Sequence, residues 1–245
     1  MIRPFTRASL LLFAVGLLAA TGCTSSPGDP LGELVRRLEG SPVYSVILED
    51  MRERGNFAKS YEHRYRAVWA DQVEAGGDLT FQDRLGSWEQ VDRRTYERYE
   101  PMLGMAIRSK KEGEVEETPQ PPGYAYVGDE RYGQWRNRND GTSFWEFYGK
   151  YALFNHLFGH GQRPVRRSDW DLYRKERSAR RPYFGPKGEF GTRGEFTRTT
   201  QPTFFERQQT RRAAGRQQFS EKVNRRIQRS RMSSTRSRSG SRGGK

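Results

Sequence analysis

Nineteen residues from Ser143 to Gly161, SFWEFYGKYALFNHLFGHG, hold seven aromatic side chains and two histidines. The chain around them is polar, with 30% charged and 33% hydrophobic residues, so any core must draw on this stretch. Placed on a helical wheel, Phe144, Phe147, Tyr148, Tyr151, Phe154 and Phe158 fall within an arc of about 120°. Ser143 with Glu146 forms a capping box, Glu146 and Lys150 pair across one turn, and Gly159 is placed to end the element. The pattern predicts a helix of about sixteen residues, roughly 24 Å long, which is short of the hydrocarbon thickness. Its stripe fits a core face, and burying six such side chains contributes on the order of 10 kcal/mol before entropy. An interfacial membrane helix is the alternative, but its polar face would carry only Lys150 where such helices carry several cations.

The same stretch raises metal chemistry. His156 and His160 have the spacing that can place two imidazoles on one ion, yet Gly159 would swing His160 away, and only His63 is left as a third imidazole. No GxSxG elbow, phosphate-binding loop or dinucleotide fingerprint occurs. The acidic run EVEE reads as solvated, and Asp171, close to Trp170 and Tyr173, could serve a carbohydrate site. Neither a metal nor a cofactor is expected, and no catalytic residue is assigned.

The chain opens MIRPFTRASLLLFAVGLLAATGC, with Arg3 and Arg7 ahead of a fourteen-residue apolar run from Ala8 to Thr21 and small residues before Cys23. That is the layout of a secretory signal peptide, too short to span. The stretch LAATGC resembles the lipobox of bacterial lipoproteins, with Ala20 where leucine is commonest. The resemblance covers residues 1–23 and implies that Cys23 is lipidated and becomes the first residue of the mature protein. Two or more acyl chains give stable membrane anchoring. Cys23 is the only cysteine, so no intrachain disulfide can form and the fold must stand on packing. Thr24 and Ser25 resemble the residues of lipoproteins sent to the outer membrane where a cell has two.

Charge is uneven along the rest. Residues 23–118 carry 14 basic and 19 acidic groups, 119–205 carry 15 and 9, and 206–245 carry 13 and 2. Within the last segment Arg225, Arg226, Arg229, Arg231, Arg236, Arg238 and Arg242 form a candidate polyanion-binding tail. Export removes nucleic acid as a partner, leaving an anionic envelope polymer, anionic headgroups or an acidic protein face, with a merely solvating tail as the alternative. Phe219, Val223 and Ile227 allow a marginal basic helix there, and the final SSTRSRSGSRGGK reads as disordered.

Between these ends the expected fold class is α+β: a small domain with short helices and an antiparallel hairpin, an aromatic-rich helical segment, and a largely disordered basic tail. Residues 23–30 form the lipidated cysteine and its tether. In 31–108, an acidic α+β segment, Asp29 caps a short helix begun by Pro30, with Leu31, Leu34, Val35 and Leu38 on one side and Gly40 closing it. Two strands follow, through Val43, Val46 and Ile47 and through Tyr61, His63, Tyr65, Ala67 and Trp69, joined by RERGNF. Leu79 to Phe81 adds a short strand. Ser87 then caps a helix through Trp88, Val91, Thr95 and Tyr99, ended near Glu100 by Pro101. Residues 109–122 read as a charged, proline-rich linker and 123–205 as aromatic-rich, with Ser168 capping a helix and KGEFGTRGEFTRTT extended. Tyr124, Tyr126, Tyr132 and Trp135 are candidate stacking platforms for a glycan or wall polymer. The reading as a whole is a lipid-anchored, non-catalytic envelope scaffold, with a glycan-binding module as the rival.

Overall fold

The structure, a computed structural model, describes residues 28–55, 58–72, 79–149 and 164–238, with side chains placed to Ser230. It is α+β, with five helices, a five-stranded antiparallel sheet and a separate hairpin. Helix α1 spans Pro30–Arg37. The Gly32 N–H donates to Asp29 Oδ1 at 3.0 Å, which satisfies one of the orphan donors of a helix start. Its Leu31 and Leu38 are buried.

Strands β1 (Val43–Arg54) and β2 (Ser60–Gln72) pair antiparallel from Val43↔Ala70 to Arg54↔Ser60. The alternation in β2 sorts its side chains by face. Tyr61, Tyr65, Ala67 and Trp69 meet α1, helix α2 (Arg93–Tyr99) and Phe204 in one cluster, whereas Val68 and Ala70 point to the other side of the sheet. Strand β3 (Leu79–Val91) lengthens the expected short strand to 13 residues. The helix expected from Ser87 is corrected accordingly: Trp88 lies opposite Arg64 and Val91 opposite Tyr61 in the β2–β3 ladder. The helix cap moves to Asp92, whose carboxylate accepts from the Thr95 N–H at 3.0 Å and the Thr95 hydroxyl at 2.6 Å. Pro101 follows the end of α2 in a short 3-10 turn, Glu100–Met102.

The expected linker 109–122 is also corrected, because it completes the sheet. Strand β4 (Ala106–Lys111) pairs with β1, and β5 (Glu114–Glu116) pairs with β4, giving the order β3-β2-β1-β4-β5. Glu112 (φ 54°) and Gly113 (φ 81°) make the two-residue hairpin turn, the backbone pairing that a type I′ loop requires. Residues 119–123 are buried, and Gln120 exchanges backbone hydrogen bonds with Ala106 at 2.9 and 3.0 Å. Prolines therefore end strand pairing here without loosening the chain.

The second face of the sheet is covered by the aromatic segment. Tyr124, Tyr126, Tyr132 and Trp145 pack with Val43 and Ala70, and with Tyr173 and Tyr183 from farther along the chain. The buried Tyr126 hydroxyl shares a 2.9 Å hydrogen bond with Ser45 Oγ, which also reaches Ser109 at 3.2 Å. The expected aromatic helix is corrected at its start. Ser143–Phe147 is strand β7, paired with β6 (Gly133–Asn137) so that Trp135 faces Trp145. Glu146 accepts from Arg136 at 2.7 Å, and its expected partner Lys150 lies outside the described residues. Residues 150–163, with Tyr151, Phe154, Phe158 and both histidines of the stretch, lie outside the described residues.

Helix α3 (Arg167–Ser178) begins one residue ahead of the expected cap, with Arg166 at the N-cap and the Ser168 hydroxyl turned to Asp169. Gly128 (φ +83°) lies under Trp170, where a Cβ would come within 2.4 Å of the indole. Part of the expected extended run is helical, α4 at Glu195–Thr200. In the described part of the expected largely disordered tail, the basic helix that Phe219, Val223 and Ile227 allow is present and longer: helix α5 runs Pro202–Arg238.

Candidate functional site

Helix α5 divides into a root and a projecting arm. At the root Phe204 is 2% exposed and joins the cluster of Leu31, Leu38, Tyr96 and Met51, with Phe205 edge-on at 5.2 Å. One turn on, the Arg207 guanidinium donates to Asp50 Oδ1, and Arg211 reaches the Glu53 carboxylate and carbonyl, both at 2.9 Å. Burial pushes the Asp50 carboxyl up, and the Arg207 charge and the Met51 N–H pull against that rise. Burial also raises Glu53, but the hydrogen bond from Lys59 and the charge of Arg211 outweigh it, and the carboxyl ends below its ordinary range. Arg207 and Arg52 both lie over the Trp88 ring, at 5.7 and 3.9 Å. The groove between root and sheet, lined by Met51, Arg52, Tyr96, Phe204, Arg207 and Arg211, therefore holds cations already paired with acids, Arg52 with Glu62 among them. It is an adhesive seam.

Beyond the root the environment changes. Every residue from Ala213 to Ser230 is exposed, and this run carries five basic residues against Glu221 alone. Glu221 stands 3.9 Å from Arg225 with both side chains 70% exposed, a geometry of little energetic consequence. Arg225, Arg226 and Arg229 of the candidate tail lie on this arm. Arg231, Arg236 and Arg238 continue the helix with side chains outside the described residues, and Arg242 and Cys23 lie outside them entirely.

The structure corrects the candidate stacking platform. Tyr124, Tyr126 and Tyr132 are buried, and burial holds the Tyr124 and Tyr126 phenols well above their ordinary range. Tyr124 packs against Tyr173 and Tyr183 with centroids 5.5 and 5.6 Å apart. Trp135 is half-buried, edge-on to Trp145 and Trp170, and the Arg167 guanidinium sits 4.7 Å above it. The three tyrosines are core residues and present no open ring face for a sugar, and Trp135 is partly covered. Glycines and Asx residues around them suggested exposed loops; the missing signal was their partners on β1 and β2, forty or more positions away.

His63, the third imidazole of the sequence, is fully buried. Its Nδ1 shares a 3.0 Å hydrogen bond with the Tyr65 hydroxyl, and its ring lies 5.5 Å from Tyr96. Burial lowers its pKa to about 4, against the opposing charge of Asp92, so the imidazole is a neutral packing element at neutral pH. Among the described residues no group of three His, Cys, Asp or Glu could hold a metal ion. Asp171 is exposed and 3.9 Å from Arg167. A second open groove, between β5 and α3, brings Glu114 and Glu117 near Arg174 and Arg180 and is bridged by Arg177 to Glu116 at 2.6 Å. Opposite charges face each other there, whereas the arm of α5 carries charge of nearly one sign among the described residues. No protein-family model matches the chain, and no curated protein or solved structure shows significant similarity to it.

Proposed function

We propose that this chain is a bacterial lipoprotein, held in the cell envelope through lipid on Cys23, with a non-catalytic scaffold or accessory role in which α5 contacts anionic material. The outer membrane is its destination where the cell has two membranes. The observation that carries the contact role is the run from Ala213 to Ser230, exposed throughout and with five basic residues against one acid, on a helix whose root is fixed in the core. A fixed root gives the cations a defined direction, which a solvating tail does not need. The N-terminal pattern of Arg3, Arg7, the apolar run and LAATGC supports the anchor.

Two experiments test this reading. Replacing Cys23 with serine should abolish lipid labelling and release the protein from the membrane fraction; a Cys23→Ser protein still firmly retained would defeat the anchor. Deletion from Ala213 onward keeps Phe204, Arg207 and Arg211 and should preserve the fold. It should also weaken salt-sensitive attachment to anionic envelope material, because that attachment scales with the cations engaged. Unchanged attachment would remove the contact role.

A further inference from the structure

Beyond Arg212 the arm carries a second feature that charge alone does not call for. Phe219, Val223 and Ile227 are 70%, 38% and 44% exposed, and their spacing places them within an arc of about 80° on the helix. Arg226, Lys222 and Arg229 follow one another around a single flank of that stripe, roughly 20° to 80° from its edge. A soluble polyanion would satisfy these cations and leave three apolar side chains in water. A second copy of α5 would cover the stripe but set five basic residues and one acid of 213–230 against an identical set, which like-charge repulsion opposes. An anionic bilayer surface offers both partners in one place, negative headgroups with hydrocarbon just beneath them.

Position on the body agrees. Leu31 of α1 and its C-cap Leu38 pack in the same cluster as Phe204, so the helix that follows the tether and the root of α5 cover one face of the sheet. The seven residues from Cys23 to Pro30 reach at most about 25 Å, and a lipid on Cys23 keeps that face near the membrane. This step rests on the anchor reading, while the chemistry of the arm does not. We propose that residues 213–230 of α5 lie along an anionic lipid surface, with Phe219, Val223 and Ile227 at the headgroup and acyl boundary and Lys222, Arg226 and Arg229 among the headgroups.

The test uses the mature-length chain carrying Cys23→Ser, which has no lipid and retains every described element. Co-sedimentation is measured with phosphatidylcholine vesicles, with vesicles containing phosphatidylglycerol, and against soluble polyphosphate as competitor. Binding is expected only where phosphatidylglycerol is present. The triple variant Phe219→Ala, Val223→Ala, Ile227→Ala should lose at least about tenfold in vesicle partitioning while keeping its affinity for polyphosphate. Those side chains are exposed, so circular dichroism of the variant should match the parent chain. Equal partitioning of variant and parent, equal binding to neutral vesicles, or no binding to anionic ones would each overturn the proposal. Since the protein tested lacks the cysteine, its failure leaves the anchor standing, and a failed lipid-labelling result leaves this proposal standing.

Discussion

Phe204 and Phe219 lie fifteen positions apart on one helix, the first 2% exposed and the second 70%. The arginines near them divide in the same way. Arg207 and Arg211 end on Asp50 and Glu53 of β1, whereas Arg226 and Arg229 meet no acid among the described residues. Both places carry arginines within a few positions of phenylalanine. What differs is the presence of acids and an apolar cluster on a strand about 150 positions earlier. On the proposed reading, function separates along that line: the root holds the helix in place, and the arm offers its charges to something outside the chain.

The widest contrast comes from truncating the two phenylalanines. Phe204→Ala removes a ring from a closed cluster and should cost about 3–4 kcal/mol in denaturant unfolding, while Phe219→Ala should stay within about 0.5 kcal/mol. Equal costs would mean that the arm is packed and the division false. Next in size is the response of the body to acid. Above pH 6.5 folded and unfolded chains both hold a neutral His63. Below it the unfolded chain takes up a proton that the folded chain resists until about pH 4. Stability contributed by His63 is therefore complete above pH 6.5 and is lost as pH falls toward 4, by about 3 kcal/mol. His63→Gln should remove that slope between pH 6.5 and 5, where most carboxylates have yet to titrate. A slope that persists in the variant would assign it to other groups.

Sequence reading succeeded where signals were local. Asp29 and Pro30 start α1, and the alternation from Tyr61 to Trp69 puts β2 on its proper faces. It failed where one pattern served two periods. Trp88, Val91, Thr95 and Tyr99 share a helical face on paper, yet pairing of Trp88 with Arg64 and of Val91 with Tyr61 holds the first two in β3. Phe144 and Phe147 likewise fit a helical stripe, and only the partner strand through Trp135 makes them β7. Glu112 and Gly113 did carry a local hairpin signal, but surrounding charge and proline made it read as a linker. Of the candidate site, the basic character of 206–230 was legible, and its attachment was not, because Asp50 and Arg207 are 157 positions apart.

Smaller effects sharpen where the root ends. Arg207→Ala strands the buried Asp50 carboxylate and weakens the cover over Trp88. Arg207 is itself 38% exposed, so solvent screens part of the interaction, and the expected cost is about 1–2 kcal/mol, below that of breaking a fully buried pair. Adding Asp50→Asn to Arg207→Ala should recover part of it, since the amide no longer needs a cation. The smallest effect on stability belongs to the arm. Arg225→Gln, Arg226→Gln and Arg229→Gln together should leave unfolding within about 0.5 kcal/mol and yet flatten the salt dependence of attachment to anionic material. A loss of stability comparable to that of Arg207→Ala would show that these cations have acid partners on the body, and the boundary between root and arm would then lie beyond Arg229.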